Sequence, residues 1–441
     1  MAAADTELPS QRHGTDLDGL QHADMMFADT APIVVDAFEP ERRSLRIAIV
    51  TETYPPEVNG VAATISCVVE GLRVRQHQVQ LVRPRQHAVD VGGPGAEEPD
   101  VLLRGLPIPR YPHLKMGLPA TRALVRHWTL QRPDLVHIVT EGPLGWSALR
   151  AATRLKLPVS SDFRTNFHAY GKHYGLGWLH KPLMAYLRKF HNRTHLTMVP
   201  TEPLRQELAA HGFGNLQVVA RGVDGALFNP ARRSEALRAA WGATPDTLVA
   251  VHVGRIAPEK NLAVLMRAVE SMQGVNPRVK LVMVGDGPLR AELERQHPQV
   301  VFAGARTGED LAAHYASADV FLFPSITETF GNVTPEAMAS GLAVLAYDYA
   351  AAGRLIRSGH NGLLAAFDQT ADFVRLAAQL AGQPGLVAAL RQQAREAATA
   401  LAWPQVVADL EQRFVALVRA HGQLPASQPE RARAAVFAAD T

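Results

Sequence analysis

From Leu45 onward the chain alternates short, mostly apolar runs with longer stretches in which apolar residues return every three or four positions. The runs at 45–50, 79–82, 135–139, 196–199 and 216–219 are too short for helices and mostly aliphatic, which predicts strands buried on both faces. Between them the spacing predicts helices over 60–75, 118–130, 143–156, 180–193 and 202–211. After Phe228-Asn229-Pro230 a polar, arginine-containing stretch leads to a second series of runs at 247–253, 279–284, 300–303, 319–323 and 342–347. Alternation of this kind builds a parallel sheet with helices on both faces. The pattern therefore predicts an α/β protein of two doubly wound lobes, 45–230 and 247–402, joined by a linker at 231–246 and followed by a helix over 403–421.

Composition narrows this picture. A chain of 441 residues that is 47% hydrophobic has room for two or three cores. It contains no run of 18 apolar residues, so no membrane-spanning helix is expected. Residues 1–44 hold nine acidic side chains against three arginines, without a basic start or an apolar centre; this predicts a disordered acidic tail and no secretory signal. Removing its net −6 from the formal +3 leaves +9 on the body, a charge drawn to anionic ligands or an anionic membrane face. Residues 422–441 are expected to be a second disordered tail. Cys67 is the only cysteine, which excludes an internal disulfide, suits the cytoplasm and reads as a small buried hydrophobe.

The chemistry concentrates in the second half. The apolar run Asp319-Val320-Phe321-Leu322-Phe323-Pro324 is followed by Glu328-Thr329-Phe330-Gly331-Asn332-Val333-Thr334-Pro335-Glu336, two carboxylates eight positions apart around a helix start. Thr334 is expected to cap that helix, with Pro335 in its first position and the amides of residues 331–334 forming an anion site. Glu328 and Glu336 could each accept hydroxyl protons from a ligand. Such a pair alone is most often a capped loop with two solvated carboxylates. A cationic loop alters the balance: Gly254-Arg255-Ile256-Ala257-Pro258-Glu259-Lys260 leaves the strand at 247–253, and Asn261 is expected to cap the next helix. Arg255 and Lys260 then stand at the carboxyl end of a strand, where α/β folds bind ligands. Facing a diphosphate, each would contribute roughly 4 kcal/mol at an effective dielectric of ~20.

The Gly254-Arg255…Lys260 loop, the Gly285-Asp286-Gly287-Pro288 turn and the paired glutamates resemble the retaining nucleotide-sugar glycosyltransferases of family 4, or group 1, a large group that includes bacterial mannosyltransferases. The first half agrees. Thr51-Glu52-Thr53-Tyr54-Pro55-Pro56-Glu57-Val58-Asn59-Gly60-Val61-Ala62 is similar to the family's first strand-to-helix loop. Thr140-Glu141-Gly142-Pro143-Leu144-Gly145 and Thr165-Asn166-Phe167-His168-Ala169-Tyr170 resemble its GDP-mannose-dependent α-mannosyltransferases and sulfoquinovosyl-transferase-like enzymes. The likeness covers roughly residues 45 to 420. It implies two Rossmann-like lobes facing a central cleft (the GT-B architecture), with the last helix crossing back to the first lobe.

The resemblance also assigns roles. It implies Arg255 and Lys260 on the diphosphate, and the amides of Gly331, Asn332 and Val333 on the distal phosphate and sugar hydroxyls. It implies Glu328 on sugar hydroxyls, Glu336 on the ribose, His168 near the donor sugar, and Gly60, Gly254, Gly285, Asp286 and Thr334 around the donor. One departure stands out: Arg164, in Asp162-Phe163-Arg164-Thr165-Asn166, stands where the family commonly has histidine. The implied reaction is hexose transfer with retention, from GDP-mannose or alternatively UDP-glucose or UDP-sulfoquinovose, to a lipid or saccharide acceptor. No cofactor and no nucleic-acid partner are implied.

Other classes fit less well. A Rossmann dehydrogenase needs G-x-G-x-x-G behind its first strand, and neither the loop from Glu52 to Gly60 nor Gly285-Asp286-Gly287 supplies it. A nucleotide-sugar-binding protein without catalysis is the other class. Metal-dependent sugar transferases hold their ion with Asp-x-Asp, and the only such spacing, Asp16-Leu17-Asp18, lies in the acidic tail; no metal is expected. Leu176, Leu179, Leu183, Leu187 and Phe190 form an apolar stripe interleaved with Lys181, Arg188, Lys189 and Arg193. Such a stripe ordinarily packs on a sheet; with this charge it could also place the helix on anionic lipid at the inner membrane face.

Overall fold

The computed structural model describes residues 44–57, 59–86, 90, 100–108, 111–164 and 180–422. Residues 1–43 and 423–441 of the expected tails, Asp16-Leu17-Asp18 among them, together with Leu176, Leu179 and His168, lie outside these residues.

The first lobe runs β1 (Arg46–Val50), α1 (Gly60–Val74), β2 (Gln78–Pro84), β3 (Val101–Leu103), β4 (Gly105–Ile108), β5 (Tyr111–Gly117), α2 (Thr121–Leu130), β6 (Leu135–Ile138), α3 (Pro143–Arg154), β7 (Val159–Asp162), α4 (His180–His191), β8 (Leu196–Val199), α5 (Glu202–Ala210) and β9 (Leu216–Val218). Its strands form a sheet in the order β3-β2-β1-β6-β7-β8-β9, with β4 and β5 as a separate antiparallel pair. Every pairing within the large sheet is parallel. The order turns back on either side of β1 and β6, which opens a crevice at their carboxyl ends.

The second lobe runs α6 (Glu235–Ala240), β10 (Val249–Val253), α7 (Leu262–Val275), β11 (Lys280–Val284), α8 (Arg290–Gln296), β12 (Val301–Gly304), α9 (Gly308–Ala316), β13 (Val320–Phe323), α10 (Val333–Ala339), β14 (Ala343–Tyr347), α11 (Ala350–Leu355), β15 (Leu363–Ala365), α12 (Thr370–Gly382), α13 (Pro384–Thr399) and α14 (Trp403–Ala420). Its parallel sheet has the order β12-β11-β10-β13-β14-β15, with the reversal between β10 and β13. Alternate residues of β10 feed opposite cores: Ala250 packs beneath α7, while Val249, Val251 and Val253 join Phe321 and Tyr315 on the other face.

The expected linker carries a helix, and the α4 stripe takes the packed alternative. The expected linker at 231–246 carries α6, tied into the second lobe by the buried Arg238, which donates to Ser317 O at 2.9 Å and Thr247 O at 2.8 Å and pairs with Asp319 at 3.1 Å. The stripe on α4 is spent inward: Leu187 and Phe190 are fully buried, and Leu183 packs against the small core of Phe163, Val199, Leu208 and Phe213. Lys181, Arg188 and Lys189 remain exposed, so an attraction of this helix to anionic lipid would be electrostatic and not insertive. At the end of the chain α14 lies on α1 of the first lobe, with Phe414 buried among Ile47, Ile49 and Ile65. Among the described residues no helix is long and apolar enough to cross a membrane.

Candidate functional site

Between the lobes lies a cleft of about 1010 Å³. Its second-lobe wall begins where β10 ends. Gly254 takes φ +153, a backbone setting that L side chains rarely adopt. A Cβ on Gly285, behind β11, would stand 1.9 Å from Gly254 O, so the two exit loops meet backbone to backbone. Arg255 and Lys260 both line the cleft. Arg255 Nη1 lies 3.4 Å from Glu259 Oε1. Lys260 Nζ is paired with Glu328 Oε1 and sits 5.6 Å from the Phe323 ring centre; Ser325 Oγ donates to the same Glu328 oxygen at 2.6 Å.

Beneath this loop His252 is fully buried, with Nδ1 3.0 Å from Leu322 O and Nε2 without a partner. Burial pushes its pKa down to about 4; the Leu322 hydrogen bond opposes this, and Lys260 adds to it. The ring is therefore neutral at pH 7. With Nδ1–H donating to Leu322, Nε2 is a buried acceptor 3.7 Å from where a Gly254 Cβ would stand.

The helix after Glu328 starts earlier than expected. Gly331 takes φ +91 and turns the chain, Asn332 is already helical at φ −54 and ψ −27, and α10 begins at Val333. Thr334 is thus not the cap. It is buried in the second helical position, with its N–H donating to Gly331 O at 3.0 Å. Pro335 falls third, still within the first turn, where a missing N–H costs nothing. The N–H groups of Gly331, Asn332 and Val333 have no partner among the described residues, and all three residues line the cleft. Asn261 likewise makes no side-chain cap; it adopts a left-handed φ of +56 that reverses the chain before α7.

Glu336 is not among the residues that line the cleft. Its Oε2 accepts from Tyr315 Oη at 3.0 Å, and burial, partly offset by that bond, raises its pKa to about 7. Gly285, Asp286 and Thr334 also stand off the cleft wall; exposed Asp286 accepts from its neighbour Gly287 N–H and pairs with Arg290 at 3.3 Å.

The first-lobe wall is gathered from several strand ends. Asn59 caps α1, accepting from Val61 N at 3.1 Å and Ala62 N at 2.8 Å, and sets Gly60 at the cleft. Asn332 Nδ2 crosses from the second lobe to Gly60 O (3.3 Å) and Thr64 Oγ1 (3.2 Å). Glu52, behind β1, accepts from Leu144 N at 3.1 Å at the start of α3. A Cβ on Gly142 would meet its Oε2 at 2.1 Å. Burial raises Glu52 to about 7 despite the amides of Leu144 and Gly117, and Glu141 adds to the rise. Glu141 lies 3.2 Å from His191 Nε2.

At the end of β7, Asp162 accepts from Arg164 Nε at 2.6 Å and faces His137 Nε2 at 3.4 Å. Against burial, which raises it, Arg164 and then His137 hold its carboxyl well below the usual range. Arg221 follows β9, buried, with Nη1 3.4 Å from Asn332 Oδ1 and its guanidinium 5.4 Å from the Phe330 ring centre.

Of the residues expected around the donor, Gly60, Gly254, Arg255, Lys260, Glu328, Gly331, Asn332 and Val333 share this cleft. Glu52, Glu141 and Arg221 were not singled out from sequence as site residues. The usable signal for Arg221 was its place, one charged side chain before Gly222 and just beyond the carboxyl end of a strand. Among the described residues no group of three or more His, Cys, Asp or Glu could hold a metal ion.

A family model described as glycosyl transferases group 1 matches residues 247–383, and one described as glycosyltransferase family 4 matches residues 58–226. A GDP-mannose-dependent alpha-mannosyltransferase of Mycobacterium tuberculosis is 35% identical over 330 residues, 73% of this chain and 83% of that protein. The protein of the same name from Corynebacterium glutamicum is 33% identical over 328 residues, 73% of this chain and 77% of its own. A sulfoquinovosyl transferase of Arabidopsis thaliana is 33% identical over 249 residues, 55% of this chain and 48% of that protein. Among solved structures, sucrose-phosphate synthase of Thermosynechococcus elongatus superposes with a TM-score of 0.69 at 18% identity, over 85% of this chain and 100% of that one. Anabaena HepE bound to UDP and glucose gives 0.66 at 18%, over 84% of this chain and 100% of that one. At such identities the likeness is one of fold.

Proposed function

The chain belongs to the family 4, group 1 glycosyltransferases, and from that premise we propose that it transfers mannose from GDP-mannose, with retention, to a lipid or saccharide acceptor. The observation that carries this reading is the Lys260–Glu328 pair at the carboxyl ends of β10 and β13, with Arg255 beside it and three unpartnered amides at residues 331–333. Cations, amide donors and one carboxylate within a single cleft suit a diphosphate joined to a polyhydroxyl ring. Relatives named for GDP-mannose at 33–35% identity support the choice of donor.

In the reaction the bond between the donor's C1 and the diphosphate oxygen breaks, and its electron pair stays on that oxygen. The acceptor hydroxyl bonds C1 on the same face, and its proton passes to the departing diphosphate. Negative charge grows on the diphosphate, so Lys260 and Arg255 do the most useful work there. Lys260 is held in place beforehand by Glu328 and can shift toward the growing charge without a large rearrangement. Glu328, released in part, accepts from sugar hydroxyls. Glu336 is assigned to the ribose by family likeness; its Oε2 accepts from Tyr315, and a carboxylate has further acceptor sites for a hydroxyl. Gly60 brings the first-lobe loop against the donor without a side chain between them.

The matching sulfoquinovosyl transferase keeps UDP-sulfoquinovose as the second donor, with UDP-glucose beside it. We place the enzyme in the cytoplasm, with the exposed cations of α4 available to an anionic membrane face. Turnover of GDP-mannose, UDP-glucose and UDP-sulfoquinovose by the purified chain, with the product's anomeric configuration read by NMR, tests the reading. Faster consumption of GDP-mannose and an α-linked product are expected; an inverted product or preference for a uridine donor would overturn it.

A further inference from the structure

Two guanidinium groups on the first-lobe side of the cleft are incompletely matched. Arg164 directs Nε and Nη2 at the single oxygen Asp162 Oδ2, which also faces His137. Its third nitrogen, Nη1, is buried and makes no hydrogen bond among the described residues, on a side chain only 9% exposed. An unmade buried donor is costly, more so on a charged group, and native proteins rarely keep one without a use.

Arg221 is equally buried. Among the described residues its partners are one long contact to Asn332 and the face of Phe330, with no carboxylate within ion-pair distance. Burial first, then the proximity of Arg164, push its pKa down to about 9, while Asp162 and Glu328 pull it back. The nearest carboxylates are already engaged: Asp162 with Arg164 and His137, Glu328 with Lys260 and Ser325. Both arginines line the cleft, and both also line the small hollow beneath it.

We propose that Arg164 and Arg221 form an anion subsite, separate from the diphosphate cations, that takes a carboxylate, sulfonate or phosphate substituent on one of the two substrates. The proposal rests on the glycosyltransferase reading. Two guanidinium groups, and not imidazole or hydroxyl donors, set the chemistry of this part of the cleft. A neutral imidazole offers one donor, which suits a hydroxyl; a guanidinium offers a planar fork, which suits an anion. The anion could belong to the donor, as an acidic hexose, or to the acceptor.

Calorimetry on the full chain separates these sources. The donor arm compares GDP-mannose with GDP-mannuronate and UDP-glucose with UDP-glucuronate. The acceptor arm, with GDP bound, compares mannose with mannose 6-phosphate. The expected result is binding at least about 10-fold tighter for the acidic member in one arm. That preference should fall to near parity in Arg164→His and in Arg221→Gln and be partly kept in Arg164→Lys, with GDP affinity unchanged. Should Arg164→His fail to fold, as its melting curve would reveal, Arg221→Gln still decides. No preference in either arm while GDP binds normally overturns the subsite and leaves the glycosyltransferase reading standing. An equal loss of GDP affinity in the variants assigns both arginines to the diphosphate and also overturns it. Failure to bind any nucleotide sinks the reading beneath it as well.

Discussion

The second lobe delivers its cleft residues on short loops behind two neighbouring strands, β10 and β13, so Arg255, Lys260, Glu328 and Gly331 each sit a few residues past a buried run. The first lobe assembles its wall from the ends of β1, β6, β7 and β9, bringing Glu52, Glu141, Arg164 and Arg221 together from distant sequence. The electrostatics differ in the same way. Lys260 and Glu328 form a pair that is mostly buried but still 14–16% exposed at the cleft, where a ligand can divide it, whereas Asp162, Arg164 and His137 form a more deeply buried cluster with one donor left over among the described residues. A site that must meet developing charge benefits from partners it can exchange at little cost. A site that selects among substituents benefits from groups already fixed.

The sharpest way to break this contrast is at Lys260. Lys260→Ala should lower kcat roughly 10²-fold, about 3 kcal/mol of lost charge stabilisation, with some loss of melting temperature because Glu328 is left without its ion-pair partner. Glu328→Gln should impair transfer with the fold intact. Near-normal turnover in either variant would remove that residue from the account. The metal-free expectation travels with this assay: activity should persist in EDTA.

A smaller effect, on stability, is expected from the backbone contact that shapes the second-lobe wall. Gly285→Ala places a methyl 1.9 Å from Gly254 O and at φ +143, so the two exit loops must separate. We expect a loss of roughly 1–3 kcal/mol in denaturant unfolding together with weaker GDP binding. A variant as stable as the parent would show that the loops are not held by this contact.

The two raised carboxyls, one in each lobe, predict a pH dependence. Glu336 and Glu52 ionise near 7 in the fold, against an ordinary 4.5. A raised acid binds its proton more tightly when folded, so its contribution is complete below about pH 4.5 and is lost as pH rises through 7. The melting temperature should therefore fall between pH 5 and pH 8. Glu336→Gln and Glu52→Gln, which mimic the protonated form, should each flatten part of that slope. An unchanged slope in both would show that neither carboxyl is held protonated.

The smallest effect is expected at α4. Because Leu187 and Phe190 are buried, only the charges of Lys181, Arg188 and Lys189 remain for lipid. Co-sedimentation with anionic vesicles should be weak, abolished by moderate salt, and reduced by joint Lys181→Glu and Lys189→Glu substitution. Salt-resistant binding would mean that an apolar face not seen here is available.

The comparison also explains what the sequence made legible. β10, β11, β13 and β14 coincide with mostly apolar runs, broken only by His252 and the leading Lys280, because strands covered on both faces admit little else. β7 escaped notice because it reads Val-Ser-Ser-Asp. Its buried hydroxyls are matched by side chains from other elements, Ser160 with His137 at 2.9 Å and Ser161 with His191, Thr194 and Thr197 at 3.0–3.1 Å. No hydrophobic run marks such a strand. β15 is three residues long, too short for any periodicity to register. Thr334 was misplaced because cap residue types are visible in sequence, but the φ of Gly331, which starts the helix early, is not. Glu336 faces Tyr315 for a similar reason: a helical position gives a side chain's direction only once the helix start is known.

Calorimetric GDP affinity, compared between the two walls, tests the division of labour most directly. Arg255→Ala combined with Lys260→Ala should weaken GDP binding by about 10²-fold or more, while Glu52→Gln leaves it within about twofold of the parent. Equal losses on both sides, or none in the second-lobe double variant, would contradict the claim that the diphosphate is held by the second lobe.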